Sequence, residues 1–157
     1  MRAMKKMKRL IAMLVCLVMV LGSTMVTQAA MQYSVATEYD GLSSNIRTNC
    51  VMFARYMVPT LPYGLTSKAD KEAIINSNTP TVGSIAITHG NKSDGSVDYD
   101  SVYGHVAYVE SINGNQITTL NGGFSTGRIT RITGTPAEQG VIGYWVPNGG
   151  TVTPPVE

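Results

Sequence analysis

The sequence predicts an α+β domain, and three observations carry that expectation. Two short helical segments, one marked by apolar spacing and one by a capping box, stand before residue 76, and segments of strand character follow from residue 84 onward. The breaker run Asn76-Ser77-Asn78-Thr79-Pro80 separates the two regions. Helices first and a run of antiparallel strands afterwards is the α+β order, with the helices packed on one sheet of about five strands. No internal repeat and no second domain is visible.

The chain opens on a segment unlike the rest. Five of its twelve basic residues (Arg2, Lys5, Lys6, Lys8 and Arg9) stand in the first nine positions, and no acidic residue precedes Glu38. Twelve apolar residues, 10–21, come next, and then a small polar stretch ending Thr27-Gln28-Ala29-Ala30. A cationic start, a short apolar run and small residues at a cleavage point make up a secretory signal. The run is short of the roughly 20 residues that cross a bilayer as a helix, although an uncleaved N-terminal anchor is the other reading. Residues 1–29 are therefore read as an export signal cut after Ala29 or Ala30. The remainder keeps seven basic and all ten acidic residues, a net of −3 where the whole chain has +2. General attraction to anionic polymers is not available to such a domain.

Residues 30–48, of which 30–44 form a lead segment, are polar and expected to be irregular. Ser43, Ser44, Asn45 and Thr48 can each cap a helix. From Cys50, the residues Val51, Ala54 and Met57/Val58 have helical spacing, which Pro59 and Pro62 stop. Ser67, with Asp70 three residues on, resembles a capping box opening a second short helix through Ile75. Residues 84–88 read as the first strand, and residues 89–101 as a Gly/Asp/Asn/Ser loop. Segments 106–112 and 116–120 flank Asn113-Gly114, a strong hairpin signal. Segments 128–132 and 141–146 add two strands. Residues 148–157 are a Thr/Pro tail expected to be disordered.

Removing the export signal takes away Cys16 and leaves Cys50 alone. A domain of about 128 residues buries a core without disulfides. A lone thiol outside the cell is either packed as a small hydrophobe or used as a nucleophile. Cys50 stands at the start of a helix, where unpaired backbone N–H groups and the helix dipole stabilise a thiolate. A merely packed cysteine gains nothing there.

A thiol nucleophile needs a base, and the chain has two histidines. His105 enters a core strand in Gly104-His105-Val106-Ala107-Tyr108-Val109, where Gly104 leaves room for close approach. His89 ends the preceding strand and is read as solvated. For a third member the hairpin offers a geometric test. A three-residue loop pairs Ile112 with Gln116 and Ala107 with Asn121, so that His105 and Asn121 share a face about 7–8 Å apart. A two-residue loop puts them on opposite faces. Both registers are open at this level.

The segments Asn49-Cys50-Val51-Met52-Phe53-Ala54-Arg55, Pro80-Thr81-Val82-Gly83-Ser84-Ile85-Ala86 and Gly104-His105-Val106-Ala107-Tyr108-Val109-Glu110 resemble, in order and spacing, the CHAP domain (cysteine, histidine-dependent amidohydrolase/peptidase). Ile117-Thr118-Thr119-Leu120-Asn121 and Gly143-Tyr144-Trp145-Val146-Pro147 look like that family's last strands. The likeness covers residues 45–147. It implies a papain-like α+β fold, Cys50 as nucleophile and His105 as base; in the three-residue register Asn121 can accept the imidazole N–H and orient the ring. The substrate implied is bacterial peptidoglycan, cut at an amide bond of a stem peptide or cross-bridge. Three positions depart from the family: Phe53 stands for a frequent Trp or Tyr, Ser84 for a frequent acid, and Asn121-Gly122-Gly123 for Glu-x-Asn.

The oxyanion of such a reaction would take the Cys50 N–H and a second donor, for which Asn49 is a candidate by adjacency. No cofactor is implied. Asp94, Asp98 and Asp100 lack EF-hand spacing and read as a solvated loop, with no metal expected. The processed chain is expected to be an exported monomer with no nucleic-acid partner and no stable membrane span. A non-catalytic exported wall-binding module and a secreted cysteine protease acting on proteins are the other readings.

Overall fold

A computed structural model describes residues 30–92 and 96–147. The export segment, the Thr/Pro tail and Asp94 lie outside the described residues. Six strands form one sheet: β1 (Gln32–Val35), β2 (Ile85–Thr88), β3 (His105–Asn113), β4 (Gln116–Asn121), β5 (Thr130–Gly134) and β6 (Val141–Trp145). Their order is β1-β5-β4-β3-β2-β6, with every neighbouring pair antiparallel. Three short helices, α1 (Ser44–Arg47), α2 (Cys50–Met57) and α3 (Lys68–Glu72), precede all strands but the first. The fold is α+β as expected.

The sixth strand corrects the reading of the lead segment as irregular. All four residues of β1 are exposed, so the polar/apolar alternation of Gln32-Tyr33-Ser34-Val35 marks no buried face. Its order comes from pairing with β5, Tyr33 opposite Ile132 and Val35 opposite Thr130. Four residues of alternation in an otherwise polar segment are too few to identify an edge strand.

α2 forms where its residues predict. Asn49 caps it, its side-chain oxygen accepting the Met52 N–H at 3.0 Å, and Pro59 follows its last turn. Phe53, Ala54 and Met57 are buried. They pack with Leu61, Ile85, Ile87, Val106, Tyr108 and Leu120 in the main core. Fully burying a side chain such as Phe53 stabilises the fold by about 1.5–3 kcal/mol. A smaller cluster of Ala86, Val109, Ile117, Tyr144 and Val146 occupies the other face of the sheet. α3 opens with the expected capping box: Ser67 accepts the Asp70 N–H, and Asp70 accepts the Ser67 N–H at 2.8 Å. It ends at Glu72, short of Ile75.

The β3–β4 hairpin reaches the register that brings His105 and Asn121 to one face, by an unforeseen route. Asn113 pairs with Gln116, so the loop has two residues, not three. Alone, that loop would send the two side chains to opposite faces. A bulge at Glu110 then shifts the register by one residue, so that Val109 faces Thr119 and Tyr108 faces Leu120. One step further along, Ala107 lies opposite Asn121. Glu110 is held by Arg131 of β5 through two hydrogen bonds of 2.6 and 2.7 Å.

Candidate active site

α2 begins beside the end of the sheet at which β3 starts and β4 finishes. The segment leading into it is tied to the chain beyond β4: the Gly123 N–H donates to the Arg47 carbonyl at 2.8 Å, and Arg47 Nη1 donates to the Gly127 carbonyl at 2.6 Å. Gly123 lies against the helix start so closely that a Cβ there would stand 3.0 Å from the Cys50 nitrogen. Its φ of +89° is also one that side chains rarely adopt. Both the space and the backbone conformation at position 123 therefore favour glycine.

Cys50 and His105 both line one cleft of about 730 Å³. Burial pushes the Cys50 thiol up. The charge of His105 and a hydrogen bond with its ring, a backbone hydrogen bond from Val106 and the charge of Lys71 outweigh that effect. The thiol is left at about 7, well below its ordinary 9.0. His105 is buried and stacks on Phe124, with ring centroids 5.6 Å apart and planes within 11°. Its Nε2 lies 3.0 Å from Asn121 Oδ1. Asn121 Nδ2 donates to Thr119 Oγ1 at 2.9 Å and to the carbonyls of Thr119 and Thr130 at 3.2 and 3.3 Å. The amide nitrogen is thus turned away from the ring and its oxygen toward it. Nε2 must then carry a hydrogen, which leaves Nδ1 as the nitrogen that meets the sulfur. Cys50, His105 and Asn121 are brought together in that order.

Asn49 also lines the cleft. Its oxygen is occupied as the cap of α2, which leaves its amide nitrogen as the group able to donate. The Cys50 N–H belongs to the first turn and has no intrahelical partner. His89 is not the solvated residue expected. It is half-buried, its Nδ1 3.2 Å from Lys68 Nζ and its ring 4.9 Å from that of Tyr99.

Several cleft residues escaped the sequence reading. Lys71, buried on α3, donates to the Tyr103 carbonyl at 2.7 Å. Arg55 donates to the Pro62 carbonyl at 2.7 Å and lies over the Tyr63 ring at 4.3 Å. Both cations line the cleft, and among the described residues no Asp or Glu does. Gly104, at φ +61°, lets α3 approach the entry to β3, where a Cβ would meet the Lys68 backbone at 3.2 Å. Thr119 was detectable, because it stands two residues before Asn121 on the same strand face. Lys71 gave no signal, since a lysine on a short helix reads as solvated.

Among the described residues no group of three or more His, Cys, Asp or Glu could hold a metal ion. Asp98 accepts the Asp100 N–H at 3.2 Å within its own loop. No described helix is long and apolar enough to cross a membrane.

Comparison with known families matches the CHAP domain over residues 39–123, slightly more than half of the chain. Among solved structures the chain is similar to the crystal structure of Ly7917, at 21% identity and a TM-score of 0.44, covering 68% of this chain and 61% of that one. It is also similar to Ly7917 with the hydrolyzing product of MDP, at 20% identity and a TM-score of 0.40, covering 64% and 59%. The chain thus spans about three fifths of the length of these structures. No curated protein sequence matches it.

Proposed function

The chain belongs to the CHAP family of amidohydrolases and peptidases, and on that premise we propose that it is an exported peptidoglycan hydrolase using Cys50 and His105. The observation that supports this most is the Cys50 thiol held at about 7 beside His105 in an open cleft. A residue retained only for packing has no use for a lowered thiol or for an oriented imidazole.

In this mechanism His105 Nδ1 takes the thiol proton and the sulfur attacks the amide carbonyl. The tetrahedral oxyanion accepts the Cys50 N–H, with Asn49 as the second donor. His105 returns the proton to the departing amine as the C–N bond breaks, leaving a thioester on Cys50. Water, deprotonated by His105, then releases the acid and restores the thiol. Asn121 orients the ring throughout. The paired cations of the cleft favour an acyl donor that bears carboxylates, as peptidoglycan stem peptides do.

Digestion of purified peptidoglycan tests the proposal. New amino groups should appear with the wild-type domain and be absent with folded Cys50→Ser and His105→Ala variants. Free muramoyl lactate carboxyl ends would identify the amide nearest the glycan; ends within the peptide would identify an endopeptidase. Full turnover by Cys50→Ser would overturn the thiol mechanism. Binding of the wall without any cleavage would identify a non-catalytic module.

A further inference from the structure

Thr119 and Gln139 have no part in the chemistry above, yet both are buried and joined to it by a chain of hydrogen bonds. Gln139 lies in the turn between β5 and β6. That turn is fixed by Thr135 and Glu138, each accepting the other's backbone N–H, at 3.3 and 2.8 Å. Gln139 Nε2 lies 2.9 Å from the Ile117 carbonyl and 3.1 Å from the Gly134 carbonyl. Two backbone carbonyls can only accept, so both amide hydrogens of Gln139 point to them and Oε1 points the other way.

The direction propagates. Gln139 Oε1 is 2.7 Å from Thr119 Oγ1 and must accept that hydroxyl's single hydrogen. Thr119 Oγ1 is then left with lone pairs only, and it accepts from Asn121 Nδ2 at 2.9 Å. Asn121 therefore presents Oδ1 to His105 Nε2 at 3.0 Å. Were Asn121 turned over, its amide would face Nε2, the imidazole hydrogen would move to Nδ1, and no lone pair would remain for the thiol.

We propose that Thr119 and Gln139 are positioning residues that, through Asn121, hold neutral His105 with its hydrogen on Nε2. The proposal rests on Cys50 and His105 being the working pair. It adds that the tautomer of the base is set by two backbone carbonyls, of Ile117 and Gly134, at the far end of a buried four-residue relay. The relay runs from β4 and the β5–β6 turn to the start of β3, so it also binds the base to the fold that carries it. Neutral groups throughout keep it free of the desolvation that a carboxylate at Asn121 would incur.

The test uses the full chain with 15N-labelled histidine in a Cys50→Ser background, where the imidazole can be titrated to its neutral form. With only His89 and His105 present, a His89→Gln variant assigns the signals. The expected result is His105 protonated at Nε2, and a mixture of tautomers in Thr119→Val. With Cys50 restored, Thr119→Val should lower kcat about tenfold or more with little change in KM, and Thr119→Ser should restore it to within about threefold. Gln139→Met should behave as Thr119→Val does. A neutral His105 protonated at Nδ1 in the Cys50→Ser protein would overturn the proposal without any relay variant, whether or not Thr119→Val folds. So would a folded Thr119→Val with unchanged tautomer and kcat. The tautomer needs no substrate, so a failure to find amide hydrolysis would count against the catalytic reading alone.

Discussion

At Cys50 two opposed influences act on one sulfur. Burial disfavours the thiolate, and His105, Val106 and Lys71 together more than compensate, holding the thiol at about 7 instead of 9.0. Because the folded value is the lower one, the thiolate's contribution to stability is complete above the ordinary value and is lost as pH falls through about 7. Reactivity follows the same group. Alkylation of Cys50 should rise with a midpoint near pH 7, and His105→Ala should move that midpoint above 9.0, since burial then acts with little opposition. Lys71→Met should move it upward by less. A midpoint that stays near 7 in His105→Ala would show that the imidazole is not what lowers the thiol. At Gly123 the constraint is space. Alanine there would press on the Cys50 nitrogen from 3.0 Å and meet an unfavourable φ.

At the scale of elements, α3 is the most exposed to a single change. It is five residues long, too short to persist alone, and the capping box of Ser67 and Asp70 satisfies its first amides. Hydrogen bonds from Ser67 and Thr66 hold the Asp70 carboxyl at about 2. Its contribution is present above the usual 3.8 and is lost as pH falls through about 2, so the cap is intact at every pH at which the cleft would work. Ser67→Ala should cost about 1 kcal/mol in chemical denaturation. Because α3 also carries Lys71 to the cleft and packs on the approach to His105, that variant should weaken activity as well. Unchanged denaturation midpoints would mean that packing on Gly104, not the cap, holds this helix.

At the scale of the whole molecule, Arg131 joins three parts that are distant in sequence. It holds Glu110 at the bulge of β3 and Glu38 in the turn before α1, from its own place on β5. The Glu38 carboxyl is lowered first by a backbone hydrogen bond and then by Arg131, so its contribution is present above 4.5 and lost at lower pH. These groups are partly exposed, and each pair is worth little by itself. Arg131→Met should still lower the melting temperature by about 2–6 °C, because it frees the bulge that sets the hairpin register. Activity should fall with it, since that register brings Asn121 to His105. A variant that melts lower while keeping full activity would show that the bulge is held without Arg131.

The helices at Cys50 and Lys68, the strands that follow them, the capping box of α3, and the identity of Cys50 and His105 as the residues able to form a thiol pair were legible in the sequence, whereas α1 and the Asn49 cap of α2 were not. Each legible feature depends on local backbone chemistry or on residue types too few to be ambiguous. The face shared by His105 and Asn121 was not, because it depends on a two-residue loop and a bulge whose effects on register oppose each other. β1 was hidden because pairing with β5, not burial, gives it form. Lys71, Phe124 and Gln139 join the cleft and the relay through contacts between segments distant in sequence, and no spacing encodes those. The sequence by itself determined a basic, apolar start followed, from residue 30, by a stretch of net −3 with one thiol at a helix start. Tertiary structure alone decided which nitrogen faces that thiol, because a tautomer is set by the direction of hydrogen bonds and that direction exists only after folding.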